Sequence, residues 1–540
     1  MASRQSQVPS TQDVIIGIDT GTSVIKAVAF DLAGRQLALE AVPNAYQTGS
    51  DGSATQSLQQ TWQKCAHVLR GLATKLERLA ERTAAIAVTA QGDGTWLVGK
   101  SDEPVADAWL WLDARAAPTV QRLVQGGQNR PRFEATGTGL NTCQQGSQLA
   151  HMARHHPELV ASAEVALHCK DWLYLKLTGV RATDPSEASF TFGNFRTRAY
   201  DDVVIDALGL HQQRHLFPEV IDGTTTTFPL TAAAAAETGL RQGTPVSLGF
   251  VDMVMTALGA GVYTDQSGAA CSVVGSTGVH MWAVRAEDVI LNAQGTGYII
   301  ALPIPGLVTQ VQTNMAATLN LDWVLGLAAD VLKDFGRNPT HKDIVARIDS
   351  WLERTTPATL LYHPYISDAG ERGPFVDAQA RASFIGLSSN HHYAHLVRAV
   401  AEGMSLAMRD CYQTMGPLPR EVRLSGGATR SAALRQIIAA TLNASVRVSR
   451  REEAGAAGAA MMAAVAIGAY ASMEDCIAEW VTPLLGDAEL PLRELSRTYE
   501  TLFPAYQQAR TALSPIWHQL AAQRASNASH GEDNGNVHGH

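Results

Sequence analysis

Cysteine is scarce in this sequence, and its few cysteines show no pairing pattern. Six are scattered over 540 residues without a C-x-x-C spacing: Cys65, Cys143, Cys169, Cys271, Cys411 and Cys476. Residues 1–12 are polar and lack the apolar core of a signal peptide, so we expect a loose leader there. These features predict free, mostly buried thiols in a reducing cytoplasm, rather than a disulfide framework.

The sequence is also poor in positive charge and in long apolar runs. Its net charge is −9, whereas nucleic acids and anionic membrane surfaces attract basic faces. Neither is therefore expected as a partner. Residues 454–471 form one uncharged run of membrane-spanning length. This run consists mostly of Ala and Gly, which gain little in lipid, so we expect a helix buried against a neighbouring backbone.

Two segments repeat the same order of strand, glycine-containing turn and strand. Residues 13–19 are apolar and β-branched, and residues 20–23 form a Gly/Thr turn before a second β-rich segment. Residues 268–274 and the turn at 275–278 follow the same pattern. The repeat predicts two related α/β halves, with a boundary near residues 259–264.

The first of these turns has the groups that a phosphate and its metal ion require. Gly21 allows the backbone to approach a phosphate closely, and Thr22 and Ser23 add hydroxyl donors. Asp19 can hold a hydrated Mg²⁺ beside that phosphate, and Lys26 can add positive charge. An ordinary hairpin with a glycine turn is the alternative interpretation.

Two further glycine-rich turns offer backbone surfaces to a nucleotide. Gly275, Ser276 and Thr277 could form a second phosphate cradle, and Gly426-Gly427, between a strand and a helix, could accept a flat group. The P-loop pattern G-x-x-x-x-G-K-[ST] is absent from the sequence. The three turns together therefore predict phosphate binding by something other than a P-loop.

One carboxylate is set apart in an apolar, glycine-flanked stretch. Asp252 lies between Val251 and Met253, and burial raises the pKa of a carboxyl group and makes it a better base. Phosphoryl transfer needs a residue that accepts the proton of the substrate hydroxyl. Asp252 is our candidate for that base, and a helix cap or a buried ion pair is the alternative.

In their order and spacing these motifs resemble the FGGY carbohydrate kinases, relatives of glycerol kinase and xylulokinase. The resemblance runs from about Val14 to Ser514. It is carried by residues 16–23 with Lys26, residues 110–115, residues 169–171, Asp252, residues 275–277, residues 371–374, residues 424–428 with Ser431, and residues 453–460.

The resemblance implies a fold of two actin/Hsp70-like domains, each of the ribonuclease-H type, flanking a catalytic cleft. Residues 13–260 would bind the polyol and supply the base, and residues 261–520 would bind ATP, with Ser431 in the adenosine motif. Mg²⁺ and ATP are the implied cofactors. Residues 525–540 are polar and are expected to be a disordered tail.

The loop after the buried strand at residues 85–89 indicates the substrate. Glycerol kinases have Arg-Glu after its glutamine and xylulokinases have Met-His, whereas Gly92-Asp93 follow Gln91 here. This loop, together with the Trp/Asp/Arg segment at residues 109–116, is similar to that of the erythritol kinases. The similarity implies erythritol as the substrate.

A four-carbon polyol also suits the side chains of these segments. Asp93 and Asp113 can accept hydrogen bonds from hydroxyl groups, Gln91 can donate and accept, and Trp111 can cover a C–H face. Residues 141–145 are a further candidate for the pocket wall.

Three alternatives remain open at the level of sequence. The chain could be an FGGY kinase of a pentulose or pentitol, a nucleotide-switched binding protein of the same fold, or an inactive regulatory homologue. The loop at Gln91–Asp93 argues against the second, and the presence of both Asp19 and Asp252 argues against the third. The sequence leaves the oligomeric state open, with a homodimer as one option.

Overall fold

The computed structural model describes residues 13–262 and 268–533, with side chains as far as Arg524. The expected leader at residues 1–12 and part of the expected boundary lie outside the described residues. All six cysteines are free and buried, as predicted. We call residues 13–262 the N-terminal domain and residues 268–533 the C-terminal domain.

The N-terminal domain is built on a six-stranded sheet. Its strand order is Thr227–Pro229, Pro245–Leu248, Thr83–Ala90, Val14–Thr20, Val24–Asp31, Gln36–Pro43. The predicted hairpin is confirmed, since Val14–Thr20 pairs antiparallel with Val24–Asp31. Val14–Thr20 also pairs in parallel with Thr83–Ala90, so the two carboxyl ends, with the Asp19 turn and the Gln91 loop, meet at one sheet edge.

The C-terminal domain repeats this pairing. Its sheet has the order Tyr298–Ala301, Leu307–Asn314, Gly278–Arg285, Ala269–Val274, Glu421–Ser425, Ser445–Val448. The strand Ala269–Val274 is antiparallel to its hairpin partner Gly278–Arg285 and parallel to Glu421–Ser425. The turn at residues 275–278 therefore corresponds in position to the Asp19 turn, which is the repeat that the sequence predicted.

Helices cover these two sheets, and several short strands form small additional sheets. The α-helices of the N-terminal domain are Leu58–Lys75, Leu79–Arg82, Ala117–Gln125, Asn129–Thr136, Gln145–His155, Pro157–Ser162, Cys169–Thr178, Pro185–Thr191, Asp202–Leu208, Ala232–Thr238 and Asp252–Gly259. Those of the C-terminal domain are Thr318–Asp334, His341–Val345, Ile348–Glu353, Tyr393–Met415, Ala432–Leu442, Ala454–Ala466, Met473–Trp480 and Arg493–Asp533. The minor strands are Gln47–Thr48, Ala54–Gln56, Trp96–Val98, Ala108–Trp109, Val165–Leu167, Ala182–Thr183, Gly193–Asn194, Ala199–Tyr200, Glu219–Val220, Leu361–His363 and Ser383–Ile385.

The last helix corrects one prediction. Arg493–Asp533 extends through residues 525–533, where the sequence predicted disorder. Extending a formed helix by a few residues costs little compared with nucleating one. Residues 534–540 of the predicted tail lie outside the described residues.

The Ala/Gly helix Ala454–Ala466 is buried, as predicted, and it joins the two domains. It packs against the helix Asp252–Gly259 and against the central strands of the N-terminal sheet. Three glycines, Gly17, Gly259 and Gly458, lie where a methyl group would overlap a backbone carbonyl of the opposite element. Among the described residues, no helix is both long and apolar enough to cross a membrane.

Candidate active site

A cavity of about 290 Å³ lies between the two domains, at the sheet edge where the Asp19 turn and the Gln91 loop meet. The N-terminal domain lines it with Thr22, Gln91, Gly92, Asp93, Trp111, Cys143, Asp252 and Met253. The C-terminal domain lines it with Thr277, Val279, Tyr298, Thr313 and Arg372. The cavity thus contains the predicted base and three of the four predicted substrate residues.

The Gln91 loop turns sharply to aim its side chains into the cavity. Asp93 has a φ of 57°, in the left-handed region, and Gly94 follows at 76°. Asp93 is only 8% exposed, its Oδ1 has no hydrogen-bond partner among the described residues, and burial raises its pKa. A buried, unpaired carboxylate oxygen at a cavity wall is a site that a ligand hydroxyl would satisfy.

Thr22 connects the predicted phosphate turn to the predicted substrate residues. Its hydroxyl donates to Gln91 Oε1 at 2.6 Å and accepts from Trp111 Nε1 at 2.9 Å. Gln91 in turn donates to Gln56 Oε1 at 2.9 Å. These bonds hold Gln91 and Trp111 in fixed orientations on the cavity wall.

Asp113 was predicted to bind substrate, and the structure places it elsewhere. It is fully buried, and its carboxylate accepts from Ala54 N at 2.9 Å and from Arg115 Nη2 at 2.6 Å. Arg115 lies over the ring of Trp109. Asp113 therefore anchors the segment that carries Trp111, and it has no place in the cavity lining.

Asp252 is the first residue of the helix Asp252–Gly259, and its Oδ1 accepts from Met253 N at 2.7 Å. Burial, with the neighbouring charge of Asp19, raises the pKa of Asp252 to about 7. A carboxylate with such a pKa is well suited to accept a proton near neutral pH.

Asp19, near the end of the strand Val14–Thr20, is the predicted metal ligand. Burial raises its pKa to about 6, although the charge of Lys26 opposes the shift. The described residues contain no group of three His, Cys, Asp or Glu side chains arranged to hold a metal ion. Asp19 would supply a carboxylate, and Mg²⁺ commonly takes further ligands from water and phosphate oxygens.

The other predicted groups of the first turn do not line the cavity. Lys26 forms an ion pair with Glu453 of the C-terminal domain at 2.7 Å, so in this structure its charge is already engaged. The Gly21 N–H donates to Val24 O at 2.9 Å and closes the turn, and Ser23 is exposed. Thr22 is the residue of this turn that reaches the cavity.

A second cavity, of about 310 Å³, lies in the C-terminal domain. Gly427 and Ser431, which the family resemblance assigns to an adenosine motif, line it together with Thr318 and Asp349. Ser431 donates to Asp349, and it caps the helix Ala432–Leu442 by accepting from Leu434 N at 3.0 Å.

Gly426 is packed against the strand Ala269–Val274 beside this second cavity. Its φ is 89°, and a methyl group there would press on the carbonyl of Val274. Gly426 therefore permits the close turn that presents Gly427, and only Gly427 of the pair lines the cavity.

The turn at residues 275–277 links the two cavities. Thr277 lines the first, and Gly275 O accepts two hydrogen bonds from Thr318, at 2.9 Å each, at the edge of the second. Ser276 and Thr277 are exposed. A nucleotide with its base in the second cavity could lay its phosphates along this turn, towards Asp252.

Two family models match the chain in succession. The N-terminal domain model of the FGGY family of carbohydrate kinases matches residues 14–259, and the C-terminal domain model matches residues 270–467. The chain belongs to the FGGY family of carbohydrate kinases.

Curated relatives and solved structures agree with this assignment. The chain is 65% identical over 510 residues to the erythritol kinase of Brucella abortus, covering 94% of this chain and 98% of the relative. It is 27% identical to the L-xylulose/3-keto-L-gulonate kinase of Escherichia coli, over 92% of this chain and 97% of the relative. The structure of the xylulose kinase from Rhodospirillum rubrum matches with a TM-score of 0.84 at 24% identity, over 94% of this chain and 100% of that one. The predicted two-domain fold is therefore confirmed.

Sequence reasoning missed part of the cavity wall of this FGGY kinase. Tyr298 and Arg372 come from the C-terminal domain, and Tyr298 Oη lies 3.5 Å from Cys143 Sγ of the N-terminal domain. Cys143 falls within the candidate segment 141–145. Arg372 falls within the motif at residues 371–374, which indicated the family but did not indicate that Arg372 lines the cavity. Tyr298 begins an ordinary buried strand and gave no signal at all.

Proposed function

We propose that this FGGY kinase is an erythritol kinase, which transfers the γ-phosphoryl group of ATP to a terminal hydroxyl of erythritol. The observation that carries the proposal is Asp93, buried in the cavity with an unpaired oxygen and placed by the Gly92-Asp93 loop. The relative that is 65% identical over 94% of the chain bears the name erythritol kinase, which supports the same substrate.

In the proposed reaction, Asp252 accepts the proton of the terminal hydroxyl of the polyol. The oxygen of that hydroxyl then bonds to the γ-phosphorus of ATP. The bond from that phosphorus to the β–γ bridging oxygen breaks, and ADP leaves. The backbone N–H groups of Ser276 and Thr277 would receive the phosphates, since the N–H of Gly275 donates to Thr277 O within the turn. Bound Mg²⁺ would neutralise phosphate charge, and Asp19 would hold it, directly or through water.

The proposed polyol contacts follow from the donors and acceptors of the cavity. Asp93 accepts from hydroxyls of the polyol, Gln91 donates or accepts, and the ring of Trp111 covers a C–H face. Since both domains line the cavity, closing them over the polyol would exclude water and limit wasteful hydrolysis of ATP. Six buried free thiols suit a reducing compartment, and we place the enzyme in the cytoplasm.

The direct test is ADP release with Mg²⁺-ATP across erythritol, threitol, glycerol, ribitol, xylitol, xylulose and ribulose. We expect the highest kcat/KM for erythritol, because Gln91 and Asp93 line the same cavity as Asp252 and can bind the hydroxyl groups of a small polyol. ATP hydrolysis without any acceptor is the control. A preference for a pentulose would support the kinase activity but contradict erythritol as the substrate. Activity with none of these acceptors would contradict both assignments.

The pH dependence tests the base. Asp252 works deprotonated, and its pKa is raised to about 7, so kcat/KM for the polyol should rise with pH and level off above about 7. Protonation of Asp19, whose pKa is raised to about 6, should make the fall of kcat/KM steeper at lower pH. Initial rates between pH 5 and pH 9 at constant ionic strength measure this profile. A rate that is constant from pH 5 to pH 8 would contradict the assignment of Asp252.

A further inference from the structure

Arg372 is a cation on the cavity wall that forms no ion pair with the described residues. Its Nε donates to Thr313 Oγ1 at 3.2 Å. Within the described part of the chain, its two terminal nitrogens have no hydrogen-bond partner and no carboxylate lies within ion-pair distance of its guanidinium. Arginine cannot lose its charge in a protein, and five fixed N–H donors require acceptors. The cavity is the place from which such acceptors can come.

The loop that carries Arg372 is held rigidly. The Glu371 carboxylate accepts from the N–H groups of Met315 and Arg372, at 2.9 Å each, and from Gly373 at 3.4 Å. Asn314 Nδ2 donates to Gly373 O at 3.0 Å. These bonds tie the loop to the end of the strand Leu307–Asn314. The guanidinium is therefore held in place before any ligand arrives, which lowers the entropy cost of binding one.

The position of Arg372 along the cavity indicates which part of the substrate it would meet. Its charge acts on Asp93, Cys143 and Tyr298, while Asp252 responds to Asp19 and Asp93. Arg372 thus lies on the part of the cavity wall near Asp93, and Asp252 is not among the groups on which its charge acts. The hydroxyl that reacts must lie at Asp252, so the other end of the polyol faces Asp93 and Arg372.

We propose that Arg372 is a polyol-binding and specificity-determining residue, which donates hydrogen bonds to the hydroxyl groups at the non-reacting end of the substrate. Asp93 accepts from the same end, so one hydroxyl of a vicinal pair donates to Asp93 and its neighbour accepts from Arg372. The two residues belong to different domains, and a polyol held between them draws the domains together. This inference rests on the proposed function, because the ligand is the phosphoryl acceptor.

The inference explains how the cavity would measure chain length. On this inference erythritol places its C1 hydroxyl at Asp252 and its C3 and C4 hydroxyls at Asp93 and Arg372. The vicinal pair of glycerol lies one carbon closer to its reacting hydroxyl, so we expect glycerol to reach the two residues less well. Polar groups left unpaired in a buried site cost binding energy, so shorter acceptors should be rejected.

The test compares Arg372→Gln and Arg372→Lys with the wild-type enzyme. Two hydrogen bonds from a charged donor are lost in the Gln variant, so we expect KM for erythritol to rise about 10- to 100-fold. We expect kcat to change less than about 3-fold and KM for ATP to stay the same. The Lys variant should recover part of the affinity, and the preference for erythritol over glycerol should fall in both.

Arg381→Gln is the matched control, since Arg381 lies further along the same loop region and bonds the carbonyls of Ala378, Ala380 and Asp368 outside the cavity. Thermal melting of each variant checks folding, and calorimetric titration with erythritol measures binding without turnover. A loss of kcat at unchanged KM would assign Arg372 to the phosphoryl group and overturn the inference. Unchanged kcat and unchanged KM would overturn it as well. If the wild-type enzyme prefers another acceptor, the proposed function fails, while the same KM comparison with that acceptor still tests Arg372.

Discussion

Replacing Asp252 by asparagine is expected to lower kcat by about 10²- to 10⁴-fold, the usual contribution of a general base. The amide has nearly the same size, and its oxygen can still accept from Met253 N, where the wild-type bond is 2.7 Å. It cannot take a proton from the hydroxyl. Binding of ATP and of the polyol should therefore change little, so kcat and kcat/KM should fall together.

Steady-state kinetics and calorimetric titration of Asp252→Asn measure both parts of this expectation. Asp330→Asn, a change at an exposed aspartate of the helix Thr318–Asp334, controls for the loss of a carboxylate as such. The rise of rate with pH near 7 should also disappear from the residual activity of Asp252→Asn. Turnover close to that of the wild type would remove Asp252 as the base.

The second large effect is expected at the contact between the helices Asp252–Gly259 and Ala454–Ala466. A methyl group on Gly458 would overlap the backbone carbonyl of Met255, and backbone atoms cannot rotate away as a side chain can. The helices would have to separate, and overpacking of this kind typically costs about 1–3 kcal/mol. For Gly458→Ala we expect Tm to fall by about 2–6 °C. Activity should fall too, because the displaced helix carries Asp252.

Gly326→Ala is the matched control for this variant. Gly326 also lies within a helix, Thr318–Asp334, but a methyl group there meets nothing within 4 Å. Alanine is the better helix former by about 0.5–1 kcal/mol, so Tm of the control should stay constant or rise slightly. Calorimetric scans of both proteins decide the matter. Equal Tm values for Gly458→Ala and Gly326→Ala would show that the helices are not in rigid backbone contact.

Local sequence patterns predicted the parts of this structure that depend on neighbours in the chain. The two hairpins follow from short apolar runs that a glycine turn interrupts, and the cavity positions of Gln91 and Asp93 follow from their place at the end of a buried strand. Asp252 could be picked out as one carboxylate in an apolar stretch, and the family resemblance favoured a base there over a helix cap or an ion pair. Each of these signals lies within about ten residues.

The interactions that the sequence could not provide depend on distant parts of the chain. Asp113 could serve a ligand or Arg115, and only the packing of the segment decides that Arg115 takes both of its oxygens. Lys26 pairs with Glu453, which is 427 positions away. Arg372 reaches the cavity only because the C-terminal sheet presents its loop there. No local pattern encodes such a meeting of two domains.

The glycines at the joint between the domains and the loop at Gln91–Asp93 tolerate sequence change differently. Gly17, Gly259 and Gly458 have no room for any side chain, so the joint between the domains allows almost no variation. Asp93 lines the cavity beyond the end of its strand and away from that joint. Gly92 has less freedom, because a methyl group there would press on Val251, the residue before Asp252. We therefore expect a change of acceptor to come through cavity residues such as Asp93, while the glycines of the joint stay fixed.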